Sequence, residues 1–222
     1  MPATSSDPDP TESRPADAAP DRPGGATAEV AYADRLIRLQ GKWWKQLLPV
    51  QAPYRARIRA HRLGRTVDVG CGHGRNLGYL APGSVGVDHN PHLVAQARAL
   101  GLTAYTSEEF FARPELARPG GYDALLAAHL IEHLTPVEAR TVMAQYVPLL
   151  APGGRVLFIT PQERGYASDP THVAFTGFAE LRSLAEDLGL TVTRQYSFPF
   201  PRGLGKAFIY NEFHTLATRP ED

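Results

Sequence analysis

Residues 65–76 read RTVDVGCGHGRN. A β-branched run enclosing an acid, Asp68, leads into glycines at 70, 72 and 74, and a polar stretch follows. Glycine is needed where the backbone turns with positive φ or where a ligand approaches too closely for a Cβ. The segment therefore reads as a strand, a loop open to a ligand, and a helix near Arg75–Leu80. A dinucleotide fold spaces its glycines G-x-G-x-x-G to seat a pyrophosphate on a helix amino terminus. Here the spacing is G-x-G-x-G, and the carboxylate of Asp68 would repel phosphate but could anchor an ammonium group. Eighteen residues beyond Gly70, SVGVDHN (84–90) ends a second strand at Asp88, where a carboxylate can accept both hydroxyls of a ribose.

Outward from this loop, short β-branched runs alternate with helical stretches, the pattern of a parallel sheet covered on both faces. Strands are expected at 66–69, 84–88, 103–106, 123–128 and 155–160. Helices are expected near 92–100, 108–113, 137–149 and 177–189. Asn90-Pro91 marks one helix start, and Thr135-Pro136-Val137-Glu138 marks another, a capping box with proline at the first helical position. TVTRQYSFPF (191–200) and AFIYNEFHTLATR (207–219) suit an antiparallel edge pair. SFPFPRGLGKAFIYNEF (197–213), rich in aromatics, Pro and Gly, is expected to pack as a hairpin against the basic amino-terminal helices, with cover for an apolar acceptor as the other reading.

The ammonium-seeking acid, the glycine loop and the ribose-binding acid together resemble the S-adenosylmethionine site of class I methyltransferases. The resemblance runs from residue 65 to about 195 and includes YDALLAAHLIEHL (122–134) and LAPGGRVLFITP (150–161) in order and spacing. It implies an α/β, Rossmann-like, doubly wound fold: a mostly parallel seven-stranded sheet with an antiparallel C-terminal edge strand and helices on both faces. It also implies that Asp68, Gly70, Cys71, Gly72 and Gly74 line the methionine and ribose part of the cofactor. Asp88 would bind the ribose and His89 would lie beside the adenine. The family usually supplies an Asp-like contact to the adenine amino group after the third strand; this chain has TSEE (106–109), so Ser107 or Glu108 takes that place. Cys71 is expected to pack rather than react.

HLIEH (129–133) has the spacing of an inverted zinc-protease motif. Such a site needs both histidines on a sustained helix, and the capping box at Thr135 leaves room for one turn at most. In this fold His129 instead ends the fourth strand, at the floor of the methyl-transfer site, and counts with the cofactor-binding residues. Some ubiquinone-pathway and small-RNA O-methyltransferases carry Glu-x-x-Glu-His after this strand and a further histidine after the fifth, and bind a divalent ion. Glu132, His133 and His172 match that pattern, but His129 replaces the first glutamate, which weakens binding of a hard cation. The same groups could instead remove a proton from an acceptor hydroxyl, or simply link strand to helix. TPQERGYASDPTHVAF (160–175) lies where the family builds its acceptor wall. Asp169 and His172 are the leading acceptor-side residues there, with a turn before Pro170 as the structural alternative for Asp169.

The chain has 222 residues and 23 basic against 23 acidic side chains. That length suits one ordinary domain with additions at the ends. Residues 1–28, rich in Pro, Asp, Ser, Ala and Gly, are expected to be disordered. Residues 29–64 form a basic helical cap, and 65–219 the methyltransferase domain. Residues 35–65 hold nine Lys/Arg and no acid, interleaved with Trp43, Trp44 and Tyr54. Trp43 and Trp44 are expected to close over the cofactor. The neutral total argues against a general nucleic-acid binder. No apolar run approaches the ~20 residues of a membrane span, the amino terminus is unlike a secretory signal, and the lone Cys71 rules out an internal disulfide; a cytoplasmic protein is expected. Methylation of a small molecule, at oxygen, is the function these features favour. A non-catalytic S-adenosylmethionine sensor or scaffold and an RNA methyltransferase are the rivals.

Overall fold

The computed structural model describes residues 52–221. The expected disordered tail, Trp43, Trp44 and the first part of the basic cap lie outside the described residues. The remainder of the cap includes helix α1, Ala52–Ala60, which buries Ile58.

Seven strands form one sheet: β1 Thr66–Val69, β2 Val85–Asp88, β3 Ala104–Thr106, β4 Tyr122–Ala128, β5 Leu150–Pro161, β6 Thr191–Phe198 and β7 Glu212–Thr218. Their spatial order is β3-β2-β1-β4-β5-β7-β6. The first five run parallel, and β7 pairs antiparallel with both β5 and β6. The expected C-terminal antiparallel pairing is thus present, with β7 inside the sheet and β6 on the edge. All four residues of β1 and of β2 are buried, as befits parallel strands covered on both faces.

One face carries the larger apolar core, in which Val67, Val69, Leu125, Phe158 and Phe213 meet Met143 and Tyr146 of α4 (Pro136–Tyr146) and Leu181 of α6 (Phe178–Asp187). The opposite face packs Ala124, Leu126, Leu157 and Ile159 against Ile58 of α1. The reversal of strand order falls between β1 and β4, so the carboxyl ends of β1, β2 and β4 open onto one crevice, the usual ligand position of such sheets.

Both signalled helix starts hold. Asn90 Oδ1 accepts from the His92 and Leu93 amides at the start of α2 (Pro91–Ala99). Thr135 and Glu138 form the capping box of α4. The expected helix at Arg75–Leu80 is absent and needs correcting. The segment instead turns with i+3 bonds, Tyr79 N–H to Asn76 O and Leu80 N–H to Leu77 O, and only Leu77–Tyr79 form a 3₁₀ turn. Gly78 inside and Pro82 just beyond leave too little chain for a stable α-helix. A short helix at Glu163–Tyr166, α5, was not expected from the sequence.

Cys71 performs the packing role expected of it. Its side chain faces Gly86 of β2, where an added Cβ would stand 2.7 Å from Sγ and 2.9 Å from both the Cys71 Cβ and a Leu77 methyl. Burial, reinforced by Asp68 and Asp88, pushes the thiol far above its ordinary range and leaves it unreactive. Gly86→Ala is expected to cost about 2 kcal/mol through overpacking, roughly 4–8 °C in Tm. Thermal melts should show Cys71→Ala restoring part of that loss in the double variant; an unchanged Tm in the single variant would contradict this packing.

Candidate active site

The glycine loop leaves β1 in a conformation that only glycine adopts readily. Gly70, Gly72 and Gly74 have φ of +70°, +55° and +88°. The Gly70 and Cys71 amides donate to Val87 O at 2.8 and 3.1 Å, which ties the loop to the end of β2. A Cβ on Gly72 would meet nothing within 4 Å, so the loop faces open space at that point.

Asp88 stands at the tip of β2. Its Oδ2 accepts from the Gly72 amide at 2.8 Å and its Oδ1 from the Asn90 amide at 2.9 Å. Each oxygen keeps a second lone pair for a ligand hydroxyl. His89 follows, with Nδ1 3.5 Å from Asp88 Oδ1 and a side chain that is largely exposed.

Asp68 differs from Asp88 in having neither carboxylate oxygen hydrogen-bonded, although it is buried. Burial raises its pKa to about 8 against the pull of Arg75, with Asp88 adding to the rise. An orphaned buried carboxylate is costly unless a ligand donates to it.

Ser107 and Glu108 sit differently from the sequence-based expectation. Thr106 caps a short helix, α3 (Ser107–Phe111), with Glu109 completing a second capping box. Glu108 is exposed on that helix, and the Ser107 hydroxyl interacts with Tyr146.

The floor of the crevice is HLIEH. His129 ends β4 with φ +58°, a strained position for a residue with a Cβ. Residues Ile131–His133 form one 3₁₀ turn, no sustained helix, which removes the protease geometry. His129 is clamped between two carboxylates: Nε2 lies 2.8 Å from Glu212 Oε1 and Nδ1 3.2 Å from Glu132 Oε1. Burial opposes its charge, but hydrogen bonds to Glu132 and Glu212 outweigh that and raise its pKa to about 9. Glu212 is held at about 2: burial alone would raise it, and the bonds from His129 and His214 prevail. The contacts continue from Glu212 Oε2 to His214 Nε2 at 3.2 Å, from His214 Nδ1 to the Tyr196 hydroxyl at 3.1 Å, and from there to His61 Nε2 at 2.7 Å, just beyond α1.

On the acceptor side, Glu132, His133 and His172 converge, with one potential donor atom from each within 4.8 Å of the others. Glu132 is fully buried, and neither of its oxygens makes a hydrogen bond beyond the ion pair with His129. Its carbonyl accepts from the Val173 and Ala174 amides, which holds the 171–174 segment over the turn. His172 Nδ1 donates to Tyr166 O at 2.7 Å; a carbonyl can only accept, so the ring lone pair resides on Nε2. His133 Nδ1 donates to Thr171 O at 3.3 Å, and burial holds its pKa below the usual imidazole range. Asp169 Oδ1 accepts from the Thr171 amide and hydroxyl, so it holds the turn that presents these histidines.

Sequence reasoning missed Glu212, Tyr54 and Arg75. Glu212 reaches the floor because the β5–β7 register sets it opposite Pro161. Gln162, fully buried, also donates to Glu212 O and to Ser197 Oγ. Nothing local in EFHT (212–215) carries that information.

A glycine loop after β1, an acid ending β2 and an acceptor floor after β4, on a β3-β2-β1-β4-β5-β7-β6 sheet, define a class I S-adenosylmethionine-dependent methyltransferase domain. The sequence agrees: a family described as "Methyltransferase domain" matches residues 67–156. Relatives include the ubiquinone biosynthesis O-methyltransferase of Xanthomonas campestris, 27% identical over 143 residues, covering 57% of this chain and 59% of that protein. The trans-aconitate 2-methyltransferase of Mycobacterium tuberculosis is 29% identical over 138 residues, covering 59% of this chain and 49% of that protein. The chain thus aligns with only about half to three-fifths of the length of these relatives. The fold is shared with a TehB-like methyltransferase of Corynebacterium glutamicum, with TM-score 0.59, 18% identity and coverage of 88% and 100% of the two chains. It is shared also with the magnesium protoporphyrin IX methyltransferase of Synechocystis, solved with S-adenosylmethionine, with TM-score 0.61, 16% identity and coverage of 90% and 100%. The residues fit that cofactor: a buried orphan carboxylate suits its ammonium, and the open face of Gly72 beside Asp88 suits its ribose. Among the described residues no helix is long and apolar enough to cross a membrane.

Proposed function

We propose that this chain is an S-adenosylmethionine-dependent methyltransferase acting on an oxygen of a small molecule in the cytoplasm. The observation that carries this reading is the orphaned, buried Asp68 carboxylate beneath a glycine loop pinned by Asp88. When bound, the cofactor supplies a methyl group on a sulfonium, already a good leaving group. The protein's share is then positioning, exclusion of water and management of the acceptor's proton.

Asp88 orients the ribose, Asp68 the ammonium, and Gly70, Gly72 and Gly74 give the backbone room. His89 flanks the adenine, with Ser107 at the start of α3 beyond it. His172 Nε2 takes the proton from the acceptor hydroxyl, with Glu132 and His133 shaping the pocket beside it and Asp169 holding their turn. The kinship with an O-methyltransferase and with a small-acid methyltransferase supports a small acceptor.

A divalent ion at Glu132, His133 and His172 is the second reading, favoured by their convergence. The His129 imidazolium, 3.2 Å from Glu132, opposes it by cancelling the charge a hard cation needs.

Incubating the protein with methyl-labelled S-adenosylmethionine and cell extract should yield a labelled small molecule; label confined to RNA, or none at all, would overturn the reading. His172→Ala should lower kcat by about 10²–10⁴ and abolish the inflection of kcat near neutral pH, with cofactor affinity unchanged. A kcat within threefold of wild type would remove His172 from the reaction. Chelators should leave wild-type turnover unaltered; loss on chelation and recovery with a divalent metal would favour the ion.

A further inference from the structure

The Tyr54 hydroxyl on α1 is shielded from solvent and makes no hydrogen bond of standard geometry. A buried tyrosine ordinarily finds a partner. Arg75, just after the glycine loop, places its guanidinium 5.3 Å from the centroid of the Tyr54 ring. The charged groups around this hydroxyl come from three sides: Glu212 from β7, Arg75 from the loop and Asp68 from β1. Tyr54 therefore stands between the cofactor crevice and the acceptor floor. It is fixed there, because Ile58, one turn along α1, is buried against Leu126, Leu157 and Ile159.

A guanidinium and a hydroxyl donor thus lie beside a carboxylate whose two oxygens are also without hydrogen bonds. That set matches the two ends of an α-amino acid. A fork of N–H donors and a hydroxyl can hold a carboxylate, while the neighbouring acid holds the ammonium one carbon away. We propose that Tyr54 and Arg75 bind the α-carboxylate of the cofactor's methionine, opposite Asp68 on its ammonium, so that helix α1 forms a wall of the cofactor site. This rests on the S-adenosylmethionine reading above. It also gives the basic amino-terminal segment a specific task, and it explains a hydroxyl that the chain itself does not satisfy.

The test uses the full chain and calorimetric titration with three probes: S-adenosylhomocysteine, its decarboxylated analogue, and 5′-methylthioadenosine, which lacks the amino-acid end. Tyr54→Phe and Arg75→Lys are each expected to weaken S-adenosylhomocysteine by about 10- to 100-fold, the range for loss of a charge-assisted hydrogen bond. The other two probes should bind within about twofold of wild type. Asp68→Asn should weaken both amines and spare 5′-methylthioadenosine, whose binding also reports an intact fold. S-adenosylhomocysteine affinity within twofold of wild type in both Tyr54→Phe and Arg75→Lys would overturn the proposal, as would equal weakening of all three probes. Wild-type protein that binds none of them would overturn the cofactor reading itself, and this inference with it.

Discussion

Asp88→Ala is expected to lower affinity for S-adenosylhomocysteine by at least about 100-fold and to abolish detectable methyl transfer. Two losses combine. The carboxylate that would accept the ribose hydroxyls disappears, at about 1.5–3 kcal/mol per charge-assisted bond. The same oxygens accept from the Gly72 and Asn90 amides, so the tether that shapes the loop goes with them. Each 1.4 kcal/mol is tenfold in Kd, and the two ribose bonds alone reach the stated factor. Asp88→Asn can restore at most one of those acceptors and should recover only part of the affinity. Titration of both variants checks this; wild-type affinity in Asp88→Ala would show that the second acid is structural only.

Glu212→Gln should destabilise the protein and change the pH dependence of its stability. Glu212 faces His129 and His214, so the substitution leaves a half-buried imidazolium without its closest anion. Breaking a fully buried pair costs about 3–5 kcal/mol. His129 keeps 30% of its side-chain surface exposed, which places the expected loss nearer 2–3 kcal/mol, roughly 5–10 °C in Tm. The sign with pH follows from the two shifts. Glu212, depressed to about 2, stabilises above its unfolded value near 4.3, and that contribution fades as pH falls towards 2. His129, raised to about 9, stabilises fully below about 6.5 and loses that contribution as pH rises from 6.5 to 9. Wild-type Tm should therefore be highest between about pH 4.5 and 6.5, with its alkaline decline flattened in Glu212→Gln. A wild-type Tm that does not fall between pH 6.5 and 9 would contradict the charged clamp.

The strands and the cofactor loop were legible because their signals are local. Asp68, three glycines and Asp88 lie within 21 residues, and each constrains its neighbours through backbone geometry. The Thr135–Glu138 capping box is likewise contained in four residues. Thr106–Glu109 has the same S/T-x-x-E form; TSEE was assigned to adenine contact although the helix start was written in it. The helix expected at Arg75–Leu80 failed for a related reason, since apolar Leu77 and Leu80 mimic a helical face while Gly78 and Pro82 forbid its extension. Glu212 lay beyond reach. Its partner His129 is 83 residues away, and only the antiparallel insertion of β7 between β5 and β6 joins them. Tyr54 was visible as an aromatic in a basic stretch, but its burial depends on where α1 docks.

The fold also explains how one short motif carries several tasks. Within HLIEH, His129 turns back towards β7, Glu132 points into the buried pocket, and His133 joins His172 on the acceptor wall, their rings 4.8 Å apart. A left-handed residue followed by a 3₁₀ turn sends three consecutive polar side chains in different directions. A regular helix would stack residues 129 and 133 on one face.

Proton release on cofactor binding tests the central claim most directly. Without ligand the Asp68 carboxyl titrates near 8, so it is largely protonated at pH 7; pairing with the methionine ammonium requires the carboxylate. Calorimetric titration of wild-type protein with S-adenosylhomocysteine at pH 7, in buffers of different ionisation enthalpy, should show one site and release of close to one proton, a release lost in Asp68→Asn. Absence of binding at millimolar ligand, or binding with no proton release, would contradict the account.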